Sequence, residues 1–165
     1  MARRFPALLL AAAWLPAACG AQAAPPASPP ASSPSPSALP APCGLLSSVD
    51  RSQAGLTSLG QEKTIGVARA CDWTETGTFG LTVTVDDTAA VSDLRTGEGN
   101  QRTVGRHQAL EVADREKDDG TCAVLLDVED RASVQVDVSN ANFRDTGLAC
   151  RRAETVALLV EPKLP

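Results

Sequence analysis

Proline leaves this chain abruptly. Between Gly20 and Pro42 it occurs at positions 25, 26, 29, 30, 34, 36, 40 and 42, whereas from Cys43 to Glu161 it is absent. Proline fixes φ and carries no backbone donor, so its density decides where helices and sheets can form. The Pro/Ser/Ala segment carries no charge, cannot bury a core and favours extended polyproline II. The sequence therefore predicts a disordered tether over 19–42 and one domain over 43–165, of about 120 residues. At about 3.1 Å per residue the tether reaches up to ~70 Å.

The tether is preceded by a targeting segment. Arg3 and Arg4 lead an apolar run from Phe5 to Leu15, and small residues follow up to Cys19. That run is shorter than the roughly 20 apolar residues of a membrane-spanning helix, and no later stretch is longer. Leu15-Pro16-Ala17-Ala18-Cys19-Gly20 resembles the bacterial lipobox. The resemblance implies a lipoprotein signal over 1–18, a lipid on Cys19 and a membrane anchor on the extracytoplasmic face. Pro16 departs from it, standing where the pattern prefers leucine. The competing site Ala21-Gln22-Ala23 would give a secreted protein instead.

Cysteine parity agrees with export. Of the five cysteines, either cleavage removes Cys19 from the redox count and leaves Cys43, Cys71, Cys122 and Cys150. An even set in an exported domain forms a disulfide framework. No two of them have metal-ligand spacing and His107 is the only histidine, so no metal site is expected. Four cysteines allow three pairings, and sequence alone does not choose. The equal 28-residue separations, each joining a helix to a strand, favour Cys43–Cys71 and Cys122–Cys150.

Patterning within the domain is mostly period-2. Ser47 or Ser48 caps a short helix with Leu45, Leu46, Val49 and Ala54 on one side, ended by Gly55 or Gly60. A strand over about 64–74 places Ile65, Val67, Cys71 and Trp73 on one face, with Arg69 the odd member. Phe79, Leu81, Val83 and Val85 alternate cleanly in the next strand. Asp87 or Thr88 caps a second helix through Val91 and Leu94, and residues 96–100 form a loop. Val104 to Val112 reads as one strand with Leu110 and Val112 inward. Cys122, Val124, Leu126 and Val128, then Val134, Val136 and Val138, line two more. A terminal helix capped by Asp145 or Thr146 carries Ala149, Ala153, Val156, Ala157 and Val160, and Pro162 stops it. The sum is an α+β domain: an antiparallel sheet packed by helices and stapled by two disulfides.

Certain of these residues resemble a known family. Pro42-Cys43-Gly44-Leu45-Leu46, Cys71-Asp72-Trp73, Val104-Gly105 with Ala109, Cys122 leading a valine-rich strand and Cys150 in a terminal helix ending Leu164-Pro165 look like the actinobacterial lipoproteins of domain of unknown function 3558. The resemblance implies a cell-envelope lipoprotein and implies no activity.

Chemistry-bearing motifs are scarce. No G-x-S-x-G elbow or phosphate loop occurs, and His107 is placed as a surface histidine on the face opposite Leu110 and Val112. The pairs Asp86-Asp87, Asp118-Asp119 and Glu129-Asp130 fall at strand ends, where such residues shape turns. Trp73 shares a face with Cys71 and is expected to pack on its disulfide. The net charge of −5 becomes −7 once Arg3 and Arg4 are lost, which disfavours nucleic acid as a partner. The expectation is a non-enzymatic binding module without cofactor. Its partners would be the membrane, through Cys19, and an envelope protein or small ligand. A carrier or sensor for an apolar ligand is the alternative, and an envelope enzyme a more distant one.

Overall fold

The computed structural model describes residues 39–94 and 99–165. The signal segment, Cys19, the tether before Leu39 and three residues of the 96–100 loop lie outside the described residues. Among those described, no helix is long and apolar enough to cross a membrane.

A 3₁₀ turn (Pro42–Leu45) and α1 (Ser48–Gln53) open the domain. Strands β1 (Gln61–Ile65), β2 (Ala68–Glu75) and β3 (Phe79–Asp86) follow, then α2 (Val91–Leu94). Next come β4 (Asn100–Val104), β5 (His107–Val112), β6 (Thr121–Glu129), β7 (Ala132–Asn140) and α3 (Thr146–Val160), closed by a 3₁₀ turn (Glu161–Lys163). All strands pair antiparallel in one sheet of order β1-β2-β3-β7-β6-β5-β4. The α+β class follows directly, with more strands than the sequence pattern suggests.

The additional strands come from two glycine hairpins. The strand expected over 64–74 is broken at Gly66-Val67, and that over 104–112 at Gly105-Arg106. Both glycines adopt positive φ, 60° and 56°, as the first central residue of a two-residue hairpin turn requires. Directly opposed residues share a face, so each turn reverses the side-chain parity that a continuous strand would keep. Ile65 pairs with Ala68 and faces away from Cys71, and Val67 lies 81% exposed at the turn tip. The inward assignment of Ile65 and Val67 is thereby corrected.

One face of the sheet carries the core. Cys71, Trp73, Phe79, Leu81, Val83, Val85, Cys122, Val124, Leu126, Val134, Val136 and Val138 meet Leu45, Leu46 and the buried side of α3. That side is formed by Ala149, Ala153, Val156, Ala157 and Val160, as helical spacing predicts. Its alanines let the helix lie close to the sheet. Asp145 caps α3 by accepting from Leu148 N at 2.9 Å. Ser47 and Asp50 form a reciprocal capping box on α1, although Val49 there is exposed. Disulfides Cys43–Cys71 and Cys122–Cys150 bolt the first 3₁₀ turn to β2 and α3 to β6. Each closed loop contributes ~3.6 kcal/mol in the chain-entropy account.

The packed region includes the described end of the Pro/Ser/Ala segment. Leu39 is 4% exposed, and the Arg69 guanidinium donates to the carbonyls of Leu39 and Pro40 at 3.2 Å each. Arg69 also pairs with Asp87 at 2.9 Å, which accounts for a cation on an otherwise apolar strand face.

Candidate functional site

The second face of the sheet is covered only at one corner among the described residues. There α2 packs Val91 and Leu94 over Leu110, Val112, Ala123 and Leu125. Leu110 thus buries fully and Val112 partly, but beneath α2 rather than in the main core. The rest of this face is built from the polar half of the alternation in β2, β3 and β7. Register sets Asp72, Thr82 and Asp137 side by side across the three strands, with Lys63 on β1 next to them.

These side chains interlock. Lys63 Nζ lies 2.5 Å from Asp72 Oδ2, and Thr82 Oγ1 donates to Asp72 Oδ1 at 2.6 Å. Gln135 Nε2 donates to both Asp137 oxygens, at 2.7 and 2.9 Å. Burial pushes the Asp137 carboxyl above its ordinary range, against the Gln135 amide and the charge of Lys63. Asp72, Thr74, Gly80, Thr82, Asp137 and Ser139 line a pocket of about 310 Å³. A second of about 180 Å³ is lined by Ala68, Thr84, Asp86, Ser133, Gln135 and Asp137. Asp137 is common to both, so the two form a shallow trough along β3 and β7. Small side chains leave the floor open, and carboxylates, hydroxyls and one amide supply directed polar contacts. Such a surface orients a polar ligand or an extended segment.

The remaining candidates have structural employment. His107 is 7% exposed and belongs to the core side, which corrects its placement at the surface. Its Nδ1 sits 2.9 Å from Glu161 Oε1 and its Nε2 3.1 Å from the Pro165 carbonyl. Parity along β5 was right, but α3 and the chain's last residues cover that side. Asp86 Oδ1 accepts from Thr88 N and Oγ1 and from Ala89 N, so Asp86, rather than Asp87 or Thr88, organises the entry to α2. Asp118 holds Thr146 N at 2.7 Å and Asp119 holds Thr121 N at 2.9 Å. Glu129 and Asp130 sit at the β6–β7 turn. Trp73 is 1% exposed, and a Cβ at Gly60 would collide with both its ring and Cys71 Sγ.

Glu111 is buried beside the sulfurs of Cys122 and Cys150, but those sulfurs are joined to each other and offer no thiolate to a metal. Burial pushes its carboxyl up, and Arg115 and Arg102 outweigh that, holding it below the usual range.

The sequence model of the family described as protein of unknown function (DUF3558) matches residues 14–163. The chain belongs to that family. No curated protein and no solved structure matches it. The family's description assigns no ligand to the trough.

Proposed function

We propose that this chain is an exported binding module of the cell envelope in an actinobacterium, held to the membrane by a lipid on Cys19. Its recognition surface is the sheet face that the described residues leave uncovered. The observation that carries the reading is the Asp72–Thr82–Asp137 row, in which a carboxylate is held half-buried on an open face. Burying a carboxylate without a cation in contact costs free energy, and such groups cluster where ligands bind. The trough is open rather than enclosed, and carboxylates and hydroxyls interrupt its apolar area, so it suits a polar ligand or protein segment better than an apolar cargo, which needs an enclosed apolar cavity. No imidazole stands near these carboxylates, since His107 lies on the other face, so recognition is favoured over catalysis.

The face is tested by a photo-crosslinking residue at Gln135, in the trough, and at Ser48, exposed on α1, in producing cells. Adducts from 135 and none from 48 are expected; adducts at neither position, or equally at both, overturn the assignment. The anchor is tested by metabolic labelling with a fatty-acid probe. Label is expected on the unaltered chain and not on Cys19→Ala; label unchanged by the substitution removes the lipid anchor.

A further inference from the structure

From Leu39 onward the chain has three aromatic side chains, Trp73, Phe79 and Phe143. The first two are buried, while Phe143 is 70% exposed. It also adopts φ 52°, in the left-handed region that a bulky L-residue rarely occupies. The loop around it is pinned. Asn140 Nδ2 donates to the carbonyls of Arg144 and Asp145, at 2.8 and 2.9 Å. Phe143 N donates to Asn140 O at 3.0 Å, and Arg152 Nη1 holds Asn140 Oδ1 at 2.5 Å. Strain of this kind persists where its surroundings over-determine it, and it concentrates at working surfaces. The product is a tip with a pinned backbone that displays an exposed phenyl ring. Exposed Arg144 follows it and has no ion-pair partner among the described residues.

The trough complements this tip. Its lining includes Asp72, Asp86 and Asp137, and the cation beside it, Lys63, is engaged by Asp72. Small floor residues such as Gly80 and Ser139 leave room for a ring. The larger pocket of the trough lies at the end of β7 from which the Phe143 loop departs, since Ser139 lines it and Phe143 follows four positions later. Under a twofold axis, docking of each tip in the recess of the other copy would make every contact twice.

We propose that a second copy of this chain occupies the trough, with Phe143 and Arg144 of each protomer docked against the Asp72–Asp137 face of the other. The inference rests on reading the open face as the recognition surface.

The test is sedimentation of the full chain carrying Cys19→Ser, so that acylation does not drive association. Concentration-dependent dimerisation is expected, weakened at least about tenfold by Phe143→Gly and by Arg144→Glu. Glycine tolerates positive φ, so Phe143→Gly is expected to keep or raise Tm, which separates lost docking from lost folding. A benzophenone side chain at position 143 should crosslink to the 80–82 or 137–139 segment of the other copy. A single monomeric species up to about 1 mM overturns the proposal, as does an association that both substitutions leave unchanged. Adducts from position 135 to other proteins, with the chain itself monomeric, would overturn self-docking and leave the recognition face standing. Adducts at neither 135 nor 143 would remove both.

Discussion

His107 Nδ1 lies 2.9 Å from Glu161 Oε1, which ties the turn of the β4–β5 hairpin to the end of α3. The same oxygen accepts from Arg106 N at 3.0 Å. One carboxylate therefore fixes both the backbone and the side chain of an edge hairpin that has no disulfide of its own. Glu161→Gln is expected to cost about 1–3 kcal/mol, as for a buried group left incompletely paired. Urea unfolding at neutral pH checks it; a change below about 0.5 kcal/mol would mean the latch is ornamental.

Acid should loosen the same clasp. The Arg106 backbone donor, then His107, holds the Glu161 carboxyl below its ordinary range. Lys163, then Ser47, holds Asp50 down to about 2. Both folded values lie below the unfolded ones. Their stabilisation is therefore complete above the ordinary carboxylate range of about 4 and is lost as pH falls through the folded values. Stability is expected to decline from about pH 4.5 towards pH 2, with a shallower decline in Asp50→Asn. Denaturant midpoints measured across that range decide it. An identical pH dependence in the variant would show that Asp50 does not contribute.

Gly66 and Gly105 make the same turn in different surroundings, so their alanine variants should differ. A Cβ at Gly66 meets nothing within 4 Å, leaving only the left-handed backbone, at about 1 kcal/mol. A Cβ at Gly105 would strike the Glu161 carboxylate and break the latch as well. Gly105→Ala is expected to cost at least about twice as much as Gly66→Ala. Equal costs in urea unfolding would place Glu161 elsewhere.

These turns also show what the sequence conceals. The period-2 strands β3, β6 and β7 and the apolar stripe of α3 were legible because burial on one face imposes a pattern. A glycine inside an alternating run is ambiguous: it fits a bulge, a turn or a tolerated strand position, and only pairing partners distinguish them. Ile65 is misplaced for that reason, and His107 because the cover over β5 comes from residues 54 and 58 positions further on. The trough was half visible. Thr82, Thr84, Gln135, Asp137 and Ser139 are the polar members of the strands, but alternation says only that they leave the main core. That they adjoin and stay half-buried depends on β3 pairing with β7, a non-local choice no short window encodes.

Reduction should unfold the domain in two separable steps of similar size. Each bridge joins a sheet strand to a different covering element, across loops of equal span. Replacing either pair with serine is expected to cost about 2–5 kcal/mol, and the two losses should add because the bridges share no partner. Non-reducing peptide mapping should show only the 43–71 and 122–150 crosslinks. A double variant that loses much less than the sum would point to coupling through the core.

Asp137 offers the sharpest contrast between folding and function. Burial raises its carboxyl pKa in the folded domain, so folding favours the protonated form. The sign is opposite to that of Glu161. The penalty begins as pH rises through the unfolded value, near 4, and is complete above the folded one. Where it is ionised, Asp137 therefore costs stability, softened by the two donations from Gln135. Asp137→Asn removes the charge at nearly constant volume, and the Gln135 amide can turn to meet it. The variant is expected to be as stable as the unaltered chain at pH 7, or more stable by up to about 1 kcal/mol, with the advantage vanishing near pH 3. It should also lose the position-135 adducts, because the charge that costs stability is the one offered to the partner. A variant that is clearly destabilised at pH 7, yet keeps its adducts, would make Asp137 a structural residue and move the recognition surface away from the trough.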